Sequence, residues 1–251
     1  TLAENGYEEV VLTGIHVASY GKDLKDEDTK LLDVIKQINN IEGIKRIRTS
    51  SVEPILFTDE FVNEVSKMEK VCPHYHLSLQ SGCDETLKRM NRRYTTAQYK
   101  EIVDKLRKEI PNVAITTDVI VGFPGETEEE FEKTYNFLKD IELSQMHIFK
   151  YSPRKGTKAA DMENQVSPQI KHERSEKLLQ LNKENFMKFA SKSVGKEFEV
   201  LFEQEVGDDK YEGLTPNYLK TFVTCDEDIC GKIMKVKITE VKDEYVEGIL
   251  V

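Results

Sequence analysis

The chain has 251 residues, enough for one large α/β domain or for a medium domain with a small one beside it, and two domains is the working expectation. Charged residues make up 33% of it, and no apolar run approaches the roughly 20 residues that a membrane span needs, so no membrane association is expected. A net charge of −10 excludes the simplest mode of nucleic-acid binding, in which a basic surface neutralises phosphates; four scattered cysteines exclude a disulfide framework and fit a reducing cytoplasm.

At the start, Leu2-Ala3-Glu4-Asn5-Gly6 reads as the last turn of a helix with its glycine stop, which predicts further sequence upstream of Thr1. Apolar runs of strand length then alternate with amphipathic stretches. The strands are Glu8–Ile15, Ile44–Ser51, Tyr75–Gln80, Val113–Gly122 and Met146–Tyr151. Between them, Leu31, Leu32, Val34, Ile35 and Ile38 form one helical stripe, and Phe61, Val62, Val65 and Met68 another. Thr95 with Gln98 and Thr127 with Glu130 have capping-box spacing. Such a βα alternation predicts parallel strands in a partial barrel over residues 1–166.

Polar and glycine-rich residues gather where each strand ends: Thr13-Gly14, Ser50 to Pro54, Gln80-Ser81-Gly82, Gly122 to Thr127, and Tyr151 to Thr157. In a parallel barrel these ends share the face where ligands bind. Within the third strand, His76, Ser78 and Gln80 fall on one side by the two-residue period. Lining the barrel interior, they would need partners that a ligand could supply; on an edge strand they would satisfy one another or face solvent. The Gly122 turn could offer its N–H groups to a ligand, or its glycines could merely permit a tight strand-to-helix turn.

Three basic clusters stand out. Arg92 and Arg93, with Lys88 and Arg89, and the loop carrying Arg154, Lys155 and Lys158 lie near the expected mouth and could grip phosphates. Lys45, Arg46 and Arg48 read as a solvated face. The pair Cys225 and Cys230 lacks a second pair and reads as incidental, and no zinc-ligand set, phosphate loop or catalytic triad is present.

After Ser167-Pro168, a cap followed by proline at the first helical position, one long helix over 167–194 connects to a second unit. From Gly195 to Val251 the pattern is short strands without helices: Lys196–Glu205, Tyr211–Thr215, Leu219–Thr224, Lys232–Val241 and Tyr245–Val251. These predict a small antiparallel β-barrel.

Taken in order, LSLQSG, MNRRYT, DVIVGFPGET and FKYSPRKGTKAA resemble the radical-SAM methylthiotransferase family, and the final barrel resembles the TRAM module that closes its members. Leu12 to Gly21 and Ser50 to Pro54 look like the branch acting on threonylcarbamoyladenosine in tRNA. The resemblance implies a radical reaction using S-adenosylmethionine and two 4Fe-4S clusters, one held by Cys-x3-Cys-x2-Cys, that adds a methylthio group to a tRNA adenosine in the anticodon loop. Carried over by motif, the cofactor cradle would be Gly14, Glu53, Gln80, Ser81, Arg92, Gly122, Tyr151 and Ser152, and Arg92, Arg93, Arg154, Lys155 and Lys158 would meet RNA.

The sequence departs from that family in having no Cys-x3-Cys-x2-Cys. The expectation is therefore a fragment lacking the first barrel strand and the N-terminal cluster domain, with no catalytic cysteine or metal ligand of its own, and inactive alone. Between Gly195 and Val251 acidic residues outnumber lysines, which leaves a ribosomal-protein substrate as an alternative. A non-catalytic RNA-binding protein on a decayed barrel is the alternative of another class.

Overall fold

The computed structural model describes residues 1–14, 16–21, 23 and 29–251. Five parallel strands follow one another in space as in sequence: β1 (Glu9–Leu12), β2 (Arg46–Thr49), β3 (His74–His76), β4 (Ala114–Val121) and β5 (Gln145–Lys150). Regular pairing joins β1 to β2 and β3 through β5, while the bridges Ile47 to Val71 and Val52 to Leu77 carry the ladder across the gap between them. The result is the partial (βα) barrel expected from the alternation. Ile15, the last residue of the first predicted strand, lies outside the described residues.

Five helices cover the convex face: α1 (Leu31–Asn39), α2 (Asp59–Val65), α3 (Asp84–Arg89), α4 (Thr96–Glu109) and α5 (Glu128–Ile141). Their stripes supply Leu31, Ile35, Phe61, Val65, Val103, Phe131 and Leu138 to one core with Leu77, Ile115, Val119 and Val121 of the strands. Both predicted capping boxes are formed, Thr95 with Gln98 and Thr127 with Glu130. Ahead of β1, residues Ala3–Asn5 make a short 3-10 turn that Gly6 ends at φ 84°.

Helix α6 (Pro168–Ser191) belongs to two cores. Leu178 and Leu181 pack beneath the parallel sheet, whereas Phe186 and Ala190 enter the core of the second unit. That unit is a closed barrel of β6 (Glu197–Gly207), β7 (Lys210–Leu214), β8 (Lys220–Thr224), β9 (Ile233–Val241) and β10 (Val246–Leu250), in the order β10-β8-β7-β6-β9. It is not wholly antiparallel, because β10 pairs with β8 in parallel. Five is an odd number, and a closed ring of alternating directions requires an even one, so one seam must be parallel.

The two units meet in a polar contact that overturns the reading of Arg46 and Arg48 as a solvated face. Both are 4% exposed. They extend from β2 into the concave side of the sheet and donate to main-chain carbonyls of the turn between β7 and β8: Arg46 to Leu214 (3.0 Å) and Thr215 (3.1 Å), Arg48 to Pro216 (3.2 Å) and Thr215 (3.3 Å). Glu9 on β1 offsets part of their charge, 2.7 Å from Arg46 and 3.2 Å from Arg48. Tyr218 stacks on His74 at 4.1 Å. Lys45, with its side chain on the other side of β2, remains exposed and pairs with Glu8. Buried cations need such partners, and those here lie about 168 residues away in sequence, where no local pattern could reveal them. Among the described residues no helix is long and apolar enough to cross a membrane.

Candidate active site

At the carboxyl ends of the strands, a cleft of about 160 Å³ is lined by His16, Ser51, Glu53, Ser78, Gln80 and Arg92, with Val17, Ala18 and Val52. Three residues assigned to the cofactor cradle thus converge: Glu53 after β2, Gln80 after β3 and Arg92 after α3. Glu53 also approaches His16 at 3.7 Å. Among the described residues, neither the Gln80 amide nor the Arg92 guanidinium hydrogen-bonds a protein partner. Gln80 as a whole is 9% exposed, but its amide is not among the fully buried unpartnered polar atoms and is open to the cleft. An amide that lines a cleft without a protein partner is available to a ligand.

Gln80 reaches the cleft because the strand bulges. His76 pairs with Thr116 in regular register, but Gln80 bridges Val119, so four residues of one strand span three of its neighbour. The irregular stretch is held by hydroxyls. Thr117 donates to the Leu77 carbonyl (2.6 Å) and accepts from the Leu79 N–H (2.9 Å); Tyr99 donates to the Leu77 carbonyl (2.8 Å); Tyr94 donates to the Ser78 and Leu79 carbonyls (2.9 Å each). Gln80 then adopts φ 72°, a left-handed conformation costly for a residue with a Cβ, which persists where surroundings enforce it.

The Gly122 turn resolves differently from its ligand reading. The N–H groups of Gly122 and Phe123 are taken by the Glu126 carboxylate, the latter at 3.1 Å, and Arg174 from α6 lies 3.6 Å from that carboxylate and donates to the Glu126 carbonyl at 3.1 Å. Burial pushes the Glu126 carboxyl up, against the pull of Arg174 and of the two amides. Gly122 itself, at φ 72°, is required by Lys171: a Cβ there would collide with the lysine's Cγ. Lys171 crosses the turn to donate to the Tyr151 carbonyl at 2.9 Å, and burial lowers its pKa. Tyr151 packs edge-on against Phe123, its hydroxyl buried without a partner.

The remaining assigned residues are dispersed. Ser81 turns away from the cleft to Thr134 of α5, 3.2 Å away. Gly14 and Ser152 are exposed and outside the lining of the cleft. Arg93, Arg154 and Lys155 are exposed on loops and Lys158 is exposed at the start of a 3-10 turn (Lys158–Asp161); Arg89 of the same basic run is bound to Glu130 at 2.5 and 2.8 Å. On the concave face below the cleft, His76 lies 3.4 Å from Asp118, which holds that carboxyl below its usual range, and 3.0 Å from the Thr116 hydroxyl. The alternation grouped His76 with Ser78 and Gln80 and left open whether they line the interior, and it missed Asp118, Tyr94, Thr117 and Lys171; of these, Asp118 alone carried a signal, as a charge inside an apolar strand.

A larger cleft of about 370 Å³ lies at the opposite end of the sheet, among Arg107, Glu142, Lys188 and Lys192. Arg107 donates to the Glu142 carbonyl at 2.7 Å and Lys188 pairs with the Glu142 carboxylate. Cations at the carboxyl ends of α4, α5 and α6 offset the helix dipoles, so that cleft is accounted for by the helices themselves.

A half-barrel of parallel strands with a polar cleft at their carboxyl ends defines the class. A model of the Radical SAM superfamily matches residues 1–138, and one of the TRAM domain matches residues 191–251. The chain belongs to the Radical SAM superfamily, with a TRAM domain at its end. Its likeness to the methylthiotransferases extends over nearly its whole length. It is 43% identical to the threonylcarbamoyladenosine tRNA methylthiotransferase MtaB of Bacillus subtilis (strain 168), over 98% of this chain and 55% of that protein. It is 42% identical to the tRNA-2-methylthio-N(6)-dimethylallyladenosine synthase of Thermoanaerobacter pseudethanolicus, over 100% of this chain and 53% of that one. The chain spans about half the length of these relatives. Among solved structures, the radical SAM enzyme coproporphyrinogen III oxidase (HemN) of Escherichia coli shares the fold, with a TM-score of 0.52 at 14% identity over 74% of this chain and 51% of that one.

The residues present fit S-adenosylmethionine better than they fit an iron–sulfur cluster. Unpartnered amide and guanidinium groups and a carboxylate suit a zwitterionic, hydroxyl-rich ligand. For a cluster the donor set is wrong: Cys72 and Cys83 are buried, with burial pushing both thiols up, and no three potential ligands come together among the described residues.

Proposed function

We propose that this chain forms the S-adenosylmethionine-binding and RNA-binding part of a tRNA methylthiotransferase that acts on N6-threonylcarbamoyladenosine. The observation that carries the reading is the convergence of Glu53, Gln80 and Arg92 in one cleft at the strand ends of a radical SAM fold. The similarity to MtaB favours the threonylcarbamoyl substrate, as do the motifs at Leu12 to Gly21 and Ser50 to Pro54. Glu53, Gln80 and Arg92 would hold the cofactor's polar groups and shield them from water, and the exposed Arg93, Arg154, Lys155 and Lys158 around the mouth would meet RNA phosphates. Bound at iron, S-adenosylmethionine supplies the radical chemistry; the iron ligands would come from outside these four cysteines, so the chain alone is expected to be inactive. A cytoplasmic location fits an RNA substrate and free thiols.

The test is reconstitution of the full-length protein with iron and sulfide, followed by incubation with S-adenosylmethionine and tRNA bearing threonylcarbamoyladenosine. Mass spectrometry of the digested nucleosides should show a methylthio addition to that nucleoside. Acceptance of dimethylallyladenosine instead, or of a ribosomal protein, would replace the substrate assigned here.

A further inference from the structure

Tyr94 occupies a position that neither the motifs nor the cofactor chemistry assigns. It follows Arg92 and Arg93 in the segment that leaves α3, where Asn91 takes φ 58° and the Arg92 N–H donates to the Leu87 carbonyl at 2.9 Å. This reversal carries Arg92 toward the cleft. Two residues later the Tyr94 phenol crosses to the other motif and donates to both the Ser78 and Leu79 carbonyls, 2.9 Å from each, on the bulge that delivers Gln80. The phenol is largely withdrawn from solvent, its pKa pushed up to about 12 chiefly by burial, and Arg92 and Glu53 are the charged groups that act on it. One hydroxyl therefore joins the two segments whose side chains both line the cleft without a protein hydrogen-bond partner among the described residues.

We infer that Tyr94 is a positioning residue that couples Gln80 to Arg92, so that the two present their polar ends to one ligand in a fixed mutual geometry. The inference rests on the proposed role of that cleft in holding S-adenosylmethionine. The Gln80 backbone is pinned to the sheet, its N–H donating to the Asp118 carbonyl at 2.8 Å and its carbonyl accepting from the Ile120 N–H at 2.9 Å. But the extra residue just before it takes the Ser78 and Leu79 carbonyls out of the ladder, and Tyr94 satisfies both. Thr117 and Tyr99 fix the Leu77 and Leu79 ends from the sheet and from α4, but neither touches the Arg92 segment. Preorganising two binding groups reduces the ordering cost that the ligand would otherwise bear.

The experiment measures binding of S-adenosylhomocysteine to reconstituted full-length protein by calorimetry, for Tyr94→Phe, Gln80→Ala, the double variant, and Tyr99→Phe as control. Tyr94→Phe should weaken binding about tenfold, but by less than threefold in the Gln80→Ala background. Tyr99→Phe, which also strips a hydroxyl from the bulge, should lower thermal stability comparably yet leave affinity within about threefold. Equal losses from Tyr94→Phe in both backgrounds, or no loss in either while Gln80→Ala weakens binding, would overturn the coupling and leave the cofactor cleft standing. Binding unaffected by Gln80→Ala would remove the cleft assignment and the coupling together.

Discussion

Thr117 lies on β4 at 0% exposure, a threonine among apolar neighbours that the strand pattern alone would assign to packing. Its hydroxyl replaces a missing ladder bond by accepting from the Leu79 N–H. The isosteric Thr117→Val keeps the volume and removes that acceptor. The Leu77 carbonyl would still have Tyr99, but the Leu79 N–H would be buried without a partner, at a cost of roughly 1–3 kcal/mol. A urea-unfolding midpoint unchanged by the substitution would contradict this account of the bulge. The sequence shows that His76, Ser78 and Gln80 alternate, and Ser78 and Gln80 do share the cleft. It does not show the bulge, because an extra residue leaves no mark on an alternating pattern that continues through it. Glu126 was legible in principle: a carboxylate four residues after Gly122, at the entry of a helix, is spaced to close its own turn. Lys171 was not, since nothing on a helix surface announces that a glycine elsewhere has made room for it.

Elements were more readable than contacts. The ten strands among the described residues and the long helix follow from runs of apolar residues and from caps, and the Ser167-Pro168 start of α6 matches its observed cap, in which the Ser167 hydroxyl accepts from the Ile170 N–H. What the pattern hid is that α6 is shared. Its apolar residues serve the half-barrel first and the closed barrel second, so neither core is complete without a stretch of the same helix. Leu178→Ala should cost roughly 2–5 kcal/mol and Phe186→Ala roughly 3–5 kcal/mol by opening cavities in different cores. Because the helix couples those cores, both variants should lower one common thermal transition. Calorimetry that resolved two transitions, each sensitive to one variant, would contradict the coupling.

At the scale of the whole molecule, the contact between the two units contains a titratable group. His74 lies between Arg48, 3.4 Å from its Nδ1, and the Thr116 hydroxyl, 3.1 Å from its Nε2, under the ring of Tyr218. Burial first, then Arg48, His76 and His147, hold its pKa well below the usual histidine value. The folded protein therefore keeps His74 neutral while the unfolded chain takes up a proton as the pH falls below about 6.5. The unfolded state then binds more protons, so this contribution to stability is full above that pH and declines as pH falls, by up to about 1.4 kcal/mol per pH unit. His74→Gln should flatten the decline in melting temperature between about pH 7 and pH 5. Parallel profiles for the two proteins would show that His74 does not carry it.

The grip of Arg46 and Arg48 on the β7–β8 turn has an evolutionary corollary. What the arginines hold at Leu214, Thr215 and Pro216 is carbonyl oxygen, which every amino acid brings. At those carbonyls the arginines read the path of the main chain, but side chains set that path: the Thr215 hydroxyl accepts from the Leu219 N–H and donates to the Asn217 side chain, and Tyr218 stacks on His74. Leu214 and Pro216 are the turn positions that the arginines hold without reading a side chain. On the other partner two arginines share one glutamate of the neighbouring strand: losing Glu9 alone would leave two buried cations without their carboxylate, whereas losing one arginine would leave the other still paired.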